Sequence, residues 1–134
     1  MADAGLVTLQ SSHDFATTLE RLTAALESKG VRVFAQIDHA AAAISAGLEL
    51  RPTTVVVFGN PVAGTPLMQA AQTVGIDLPL KALVWQDAQG AVHLSYNDPA
   101  WIAARHGLDR GAEQAVAAMA AGLAAFARHA TGPG

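Results

Sequence analysis

The sequence predicts an α+β fold of two layers, in which helices cover a five-stranded mixed sheet and an Ala-rich helix forms the C-terminus. Strand-like and helix-like segments follow one another in the order β-α-β-α-β-α-β-β-α-α. One of the connections is a short hairpin loop, so the sheet is expected to combine parallel and antiparallel pairs. The 134 residues suffice for one domain and are too few for two of ordinary size, so residues 1–134 are predicted to form a single domain.

The first strand is predicted at residues 6–10 and the first helix at residues 14–29. Apolar residues of the helix recur at steps of four, three and four, which places them on one face: Phe15, Leu19, Leu22 and Leu26. Gly30 follows in the position that commonly ends a helix. The second strand, residues 31–38, is indicated by strict alternation of apolar and mostly polar residues.

A short Ala-rich helix is predicted at residues 39–46, between the second and third strands. Residues 53–58 form a continuous β-branched run that ends in Phe58, and such runs are typical of a strand buried on both faces. A third helix is expected to follow, with Gly64 and Thr65 leading into it, Pro66 in its first turn and its end at Gly75.

The fourth and fifth strands are predicted at residues 80–86 and 91–96, joined as an antiparallel hairpin through a loop that contains Gly90. A short helix at residues 100–106 precedes the last helix, at residues 110–129. The larger apolar residues of the last helix form one narrow stripe: Val116, Met119, Leu123 and Phe126.

Alanine dominates the last helix and is the commonest residue, at 30 of 134. Only 14% of the residues are charged, against about 25% in a typical soluble domain. The faces beside the apolar stripe are therefore smooth and uncharged, whereas an exposed helix usually carries charge on its outer face. We therefore expect the last helix to be covered by the domain and by a second copy, which predicts a homodimer.

Charge and composition exclude several classes of protein. The net charge is −3 and the basic residues are scattered, which argues against nucleic-acid binding. There is no Cys, which excludes disulfides, thiolate metal sites and cysteine nucleophiles. The N-terminus lacks a basic segment followed by an apolar one, and residues 112–130 are too weakly apolar for a membrane span. A cytoplasmic location and no membrane partner are expected.

The first candidate site lies where the second strand gives way to a helix, at Asp38 and His39. Asp38 is suited to cap the helix, and the cap alone would explain it. His39 would lie beside the positive end of the helix dipole, which disfavours a charged imidazole. A neutral imidazole there is suited to act as a base or a metal ligand, and the alternative is a solvent-facing His in the capping region.

The second candidate site is the segment of residues 58–65, in which Gly59 and Gly64 flank a loop that leads into a helix. Backbone N–H groups at such a place can hold an anion, with Thr65 as the cap. It is not a P-loop, because the Lys of that motif is absent. A structural turn followed by a helix cap explains the segment equally well.

The two segments converge if the second and third strands are parallel, because both loops then leave the same edge of the sheet. Asp38, His39, Asn60 and Thr65 would lie together in that case. If the strands are antiparallel, the convergence fails. His93, on the fifth strand, is either a solvent-facing or a pocket residue, and Asp77 and Lys81 form a possible surface ion pair.

These motifs resemble the family known as domain of unknown function 302, over residues 11–106. The resemblance rests on Ile37-Asp38-His39, Phe58-Gly59-Asn60-Pro61, Gly64-Thr65-Pro66-Leu67-Met68, and Leu78-Pro79-Leu80 with Trp85 and Gly90. It implies a small, dimeric, bacterial α+β domain with no settled activity. The family's marked positions correspond to Asp38, His39, Asn60, Pro61, Gly64, Thr65 and Pro79. Residues 107–130 lie outside the resemblance and are expected to form a helical extension.

Three functions remain open. The first is a homodimeric binding domain that holds a small molecule, a metal or a haem, with a ligand set of Asp38, His39, Asn60, Pro61, Gly64 and Thr65. His39 and His93 are its candidate metal ligands, since imidazole is the available borderline ligand without Cys. The second is a small hydrolase or isomerase that uses His39 as a general base polarised by Asp38. The third is a structural or interaction domain with the stripe of the last helix as its partner surface.

Overall fold

The computed structural model describes residues 4–108 and 110–133. Its strands are β1 (Leu6–Gln10), β2 (Arg32–Asp38), β3 (Thr53–Gly59), β4 (Leu80–Gln86) and β5 (Val92–Asn97). Its helices are α1 (Phe15–Ser28), α2 (His39–Ser45), α3 (Pro61–Ala70), α4 (Pro99–Arg105) and α5 (Glu113–Thr131). Two 3₁₀ turns, Gln72–Ile76 and Arg110–Ala112, follow α3 and precede α5. The α+β class, the five strands and the C-terminal helix are confirmed.

The sheet has the strand order β1-β5-β4-β3-β2, and every neighbouring pair is antiparallel. The expectation of a mixed sheet is therefore wrong. Residues 39–52 connect β2 to β3, and α2 accounts for seven of these 14 residues. A crossover between parallel strands needs about a dozen residues or more, so the length of this connection permits either direction. The structure pairs the two strands antiparallel.

One face of the sheet packs against α1 and α5 and forms the main core. Alternate residues of β3 point into it, and Thr54, Val56 and Phe58 are buried. Val55 and Val57, on the other face, are only half-buried. The predicted burial of β3 on both faces is thus correct for one face and only partial for the other. The buried members of the core are Leu22, Leu26, Val56, Phe58, Ala82, Val84, Val92, Leu94, Tyr96, Leu123, Ala127 and Ala130.

The apolar stripe of α5 belongs to the interior of the chain itself. Leu123 is buried in the main core, and the half-buried Phe126 packs against it. Met119 is buried in a second, smaller hydrophobic cluster with Leu67, Val74 and Ile102, and the half-buried Val116 packs against that cluster. The stripe is therefore not available as a partner surface, contrary to the third hypothesis. The faces beside it do carry exposed alanines, namely Ala117, Ala118, Ala121 and Ala125. The homodimer expected from them stays a prediction.

None of the helices formed by residues 4–108 and 110–133 has the length and apolar character that crossing a membrane requires.

Candidate functional site

The antiparallel pairing of β2 and β3 separates the two predicted site segments. Asp38 lies opposite Thr54 at one end of the strand pair, and Arg32 lies opposite Gly59 at the other end. Six residue steps along an extended strand cover about 20 Å. The predicted convergence of Asp38 and His39 with Asn60 and Thr65 is therefore wrong.

Asp38 and His39 occupy an exposed helix start. The Asp38 Oδ1 atom accepts a hydrogen bond from the Ala41 N–H at 2.9 Å, so Asp38 is the N-cap of α2. The His39 side chain is exposed, and its imidazole has no hydrogen-bond partner among the residues that the structure describes. The carboxylate binds the helix start and not the imidazole, so the pair lacks the contact that a polarised general base requires.

His93 belongs to an aromatic cluster on the half-buried face of the sheet. Its ring stacks on Trp85 with centroids 4.4 Å apart, and its Nε2 atom lies 2.8 Å from Asp87 Oδ2. The hydrogen bond from His93 is the largest cause that lowers the pKa of Asp87 from its ordinary value. The carboxylate is also fixed by N–H groups of its hairpin loop, from Gln89 and Ala91.

His93 and His39 are too far apart to bind one metal ion. His93 pairs with Trp85, which pairs with Thr53, and β3 still lies between these strands and β2. Three inter-strand steps amount to about 14 Å, whereas metal–nitrogen bonds are about 2 Å long. Within residues 4–108 and 110–133, no group of three His, Asp or Glu side chains is placed to hold a metal ion.

The start of α3 differs from its predicted position. The helix begins at Pro61, and Asn60 caps it by accepting the Val62 N–H through Oδ1 at 2.9 Å. The sequence Asn-Pro fits the rule for a cap followed by Pro at the first position as well as Thr65-Pro66 does. Thr65 and Pro66 consequently lie inside the helix.

The N–H groups in the first turn of α3 are already bonded. Ala63 and Gly64 donate to the Asn60 carbonyl oxygen at 2.9 and 3.0 Å, and Val62 donates to the Asn60 side chain. The backbone N–H groups that were predicted to bind an anion at this loop therefore donate to Asn60 instead.

A cavity of about 260 Å³ lies beneath α3, and four of the six predicted ligand-binding residues line it. The cavity is bounded by the first two turns of α3, by the segment around Pro79, which follows a cis peptide bond after Leu78, and by Met119 of α5. Its walls are almost entirely apolar. The lining residues are Phe34, Gly59, Asn60, Pro61, Ala63, Gly64, Thr65, Met68, Gly75, Leu78, Pro79, Leu80 and Met119.

Three glycines line this cavity. A Cβ atom on Gly64 would lie 3.3 Å from Leu78 Cδ1, and one on Gly59 would lie 3.4 Å from Phe34 Cε2. A Cβ atom on Gly75 would lie 3.5 Å from Met68 Sδ. The contact at Gly64 is tight, whereas the contacts at Gly59 and Gly75 are at ordinary van der Waals distances. A side chain at Gly64 is therefore the one expected to crowd the cavity. This gives Gly64 a role that does not depend on a turn, since it lies within a regular helix.

A second cavity, of about 360 Å³, adjoins the first. Gly59, Asn60, Ala63, Leu80 and Met119 line both of them. The second cavity extends between α3 and α5 towards Val31, Phe58 and Phe126. Met119 is the α5 residue that lines both spaces, and the thioether of Met is adaptable in shape.

A polar cluster that the sequence did not reveal ties α4 to the segment after α3. Asp77 accepts from Arg105 Nη1 at 2.9 Å and lies 2.6 Å from His106 Nε2, while Thr73 Oγ1 lies 2.9 Å from His106 Nδ1. The sequence suggested an ion pair between Asp77 and Lys81. In the structure Asp77 instead pairs with Arg105 and His106. Because Gly75 and Leu78 border the cavity, this cluster fixes one of its walls.

Curated relatives share this sequence over almost its whole length. The chain is 48% identical over 130 residues to the "Fluoride-specific ion channel FluC 1" of Brucella suis biovar 1 (strain 1330), covering 97% of this chain and 51% of that protein. It is also 48% identical over 130 residues to the protein of the same name from Brucella abortus biovar 1 (strain 9-941), covering 97% of this chain and 48% of the relative. The chain thus spans about half the length of the curated relatives it matches.

A solved structure and a family model match the same region. The fold is similar, with a TM-score of 0.84, to a crystal structure of an uncharacterized conserved protein DUF302 from Bacillus stearothermophilus. That match covers 94% of this chain and 98% of the other at 23% identity, and it shows the fold alone. The family model "Domain of unknown function DUF302" matches residues 7–126 and so includes most of α5, beyond the residues 11–106 that carried the resemblance. The chain belongs to the DUF302 family.

Proposed function

We propose that this protein is a binding domain that holds a small, mainly apolar molecule in the cavity beneath α3. The observation that carries the proposal is the cavity itself, whose lining includes three glycines, Gly59, Gly64 and Gly75, and at Gly64 leaves little room for a Cβ atom. Ligand sites are typically concave and apolar with a few polar groups, and here Asn60 and Thr65 supply polar groups in the lining. This is the second of the two segments that the sequence indicated.

The residues of the cavity favour binding over the other functions considered. Among the residues that the structure describes, its lining includes no His, Asp, Glu, Lys or Arg side chain, and none of those lining residues is a usual group for general acid–base chemistry. His39 and His93 both lie outside it, so a His-ligated haem or metal forms no part of this proposal. The proposed ligand is held by shape and apolar contact.

Filling the cavity tests the proposal. We expect 1-octanol to shift the backbone amide NMR signals of Gly59, Gly64 and Gly75 in the wild-type protein, and Gly64→Leu to weaken binding at least tenfold. The Leu side chain would occupy the space beside Leu78. Leu is a better helix former than Gly by up to about 1 kcal/mol, so helix propensity alone should not destabilise α3.

Two control variants accompany this measurement. Ala121→Leu adds a similar side chain on an exposed face of α5, and His39→Ala alters the far end of the sheet. Both are expected to bind 1-octanol as the wild type does. Equal binding by Gly64→Leu, or shifts confined to residues away from the cavity, would contradict the proposal.

We propose, as a second candidate, that the domain acts together with an ion channel. This is supported by the 48% identity to relatives named fluoride-specific ion channels, of which this chain spans about half. In those proteins the matching segment is part of one polypeptide. The same domain in this chain would act on such a channel either within a longer protein or as a separate partner.

Fluoride efflux from liposomes tests the second candidate. The preparations to compare contain the Brucella suis relative at full length, the same relative without the segment that matches this chain, and the shortened relative with this chain added. We expect the shortened relative to conduct at a different rate and the added chain to restore the full-length rate. Identical rates in all three preparations would show that the domain does not act on the flux.

A further inference from the structure

We infer that the ligand of the cavity beneath α3 is an amphipathic anion, with its apolar body inside and its anionic group at the mouth between Arg32 and Lys81. This inference rests on the proposed function, because it assigns the chemistry of the molecule that the cavity holds. It is carried by the positions of two cations, Arg32 and Lys81, whose place beside the site follows from the strand register.

Both cations lie on one face of the sheet at the end where the cavity opens. Arg32 is the cross-strand partner of Gly59, and Lys81 is the cross-strand partner of Val57. Gly59 and Val57 are two residues apart on β3, so both positions face the same side of the sheet. Their cross-strand partners, Arg32 and Lys81, therefore face that side as well. The two cations therefore flank β3 from both sides, next to the glycine that lines the cavity.

Each cation is held by a residue of the cavity wall. The Arg32 guanidinium lies 5.3 Å from the ring centroid of Phe34, a cation–π contact. The Lys81 Nζ atom donates a hydrogen bond to the Pro79 carbonyl oxygen at 3.3 Å. Phe34 and Pro79 both line the cavity and are both exposed, which places them at its mouth. The charges thus stand at the entrance while the interior stays apolar.

Within residues 4–108 and 110–133, neither cation forms an ion pair with an acidic side chain. The ion pairs found among the described residues join Asp87 to His93 and Asp77 to Arg105 and His106. Arg32 and Lys81 take part in none of them. Because the protein as a whole carries a net charge of −3, two unpaired cations at one cavity mouth form a local exception. A bound anion would relieve their mutual repulsion and be attracted by their summed field.

The neighbouring cavity sets the shape of the apolar body. The first cavity, at about 260 Å³, is slightly below the range of about 300–1,000 Å³ typical of ligand sites. The second cavity continues it past Met119, whose flexible side chain can adapt to a ligand. An elongated, flexible apolar chain with one anionic end fits this arrangement better than a compact or uncharged molecule.

Comparing decanoate with 1-decanol tests the inference, since the two share a chain and differ in charge. By calorimetry below the micellar range, we expect decanoate to bind more tightly than 1-decanol. Arg32→Gln and Lys81→Gln should each weaken decanoate binding about fivefold, the effect of one partly exposed ion pair, and leave 1-decanol unchanged. Added salt should weaken decanoate only.

The matched control is Arg51→Gln, which removes one positive charge from an exposed residue beyond the opposite end of β3. It should bind both probes as the wild type does, and all variants should keep the wild-type thermal midpoint. If both probes bind equally and the two mouth variants have no effect, the anionic group is wrong while the proposed function stands. If neither probe binds, or binding survives Gly64→Leu, the proposed function itself fails.

Discussion

Truncation of the chain after Gly107 is expected to abolish cooperative folding. Leu123, Ala127 and Ala130 of α5 are buried in the main core, where they pack with Leu22 and Leu26. Burying a large apolar side chain contributes about 1.5–3 kcal/mol, and a whole domain is stable by only about 5–15 kcal/mol. Loss of the helix removes several such side chains and uncovers one face of the sheet. Circular dichroism during heating should show no cooperative transition.

The control truncation ends at Gly132. The contacts that fasten the end of α5 then remain, because Ser12 N–H donates to the Thr131 carbonyl oxygen and His13 Nε2 lies 2.7 Å from the Gly132 carbonyl oxygen. This protein should melt as the full chain does. A folded, cooperative fragment ending at Gly107 would instead show that residues 107–130 are an extension attached to a complete domain, as the sequence suggested.

Helices and strands could be predicted because each depends on a local pattern. The apolar face of α1 and the alternation along β2 are visible within ten to fifteen residues, and the structure begins and ends these elements within two residues of the predicted bounds. The stripe of α5 was predicted for the same reason. The stripe packs on its own chain, as the expected cover by the domain implies, and only the third hypothesis, which made it a partner surface, is wrong. The sequence does not say whether an apolar stripe packs on its own chain or on another.

The direction of β2 against β3 has no local sequence signal, because the 14 residues between the strands are enough for either arrangement. The antiparallel pairing that the structure shows places Asp38 and Asn60 at opposite ends. The start of α3 was mistaken because two Pro residues, Pro61 and Pro66, each follow a residue able to cap a helix. Local rules favour both starts equally, and the structure begins the helix at the first.

Four of the six predicted ligand-binding residues line one cavity because the Asn60-to-Thr65 segment is contiguous in sequence, and their role in binding stays a prediction. The remainder of the cavity comes from apolar residues, among them Met68, Leu78 and Met119, which are indistinguishable in sequence from ordinary core residues. Arg32 and Lys81 were likewise ordinary strand charges until the register placed them beside the cavity mouth. A cavity that is lined by glycines and ordinary apolar residues is hard to recognise in a sequence, because only its glycines stand out.

Phe58→Ala is expected to lower the free energy of unfolding by about 3–5 kcal/mol, the usual cost of removing a buried aromatic ring. Phe58 is 2% exposed and contributes to the main core while it forms a wall of the second cavity. The surrounding helices cannot close completely over the lost ring, so the existing space grows. Urea unfolding monitored by circular dichroism measures the change.

Phe34→Ala makes the same chemical change at a residue that is 46% exposed at the cavity mouth. The free energy of unfolding of this variant should differ from that of the wild type by less than about 1 kcal/mol, since little buried surface is lost. Binding of 1-octanol should weaken. The two variants thus separate the interior that holds the domain together from the wall that holds a ligand. If Phe34→Ala cost as much stability as Phe58→Ala, the mouth would belong to the core, and an open site at that edge of the sheet would be contradicted.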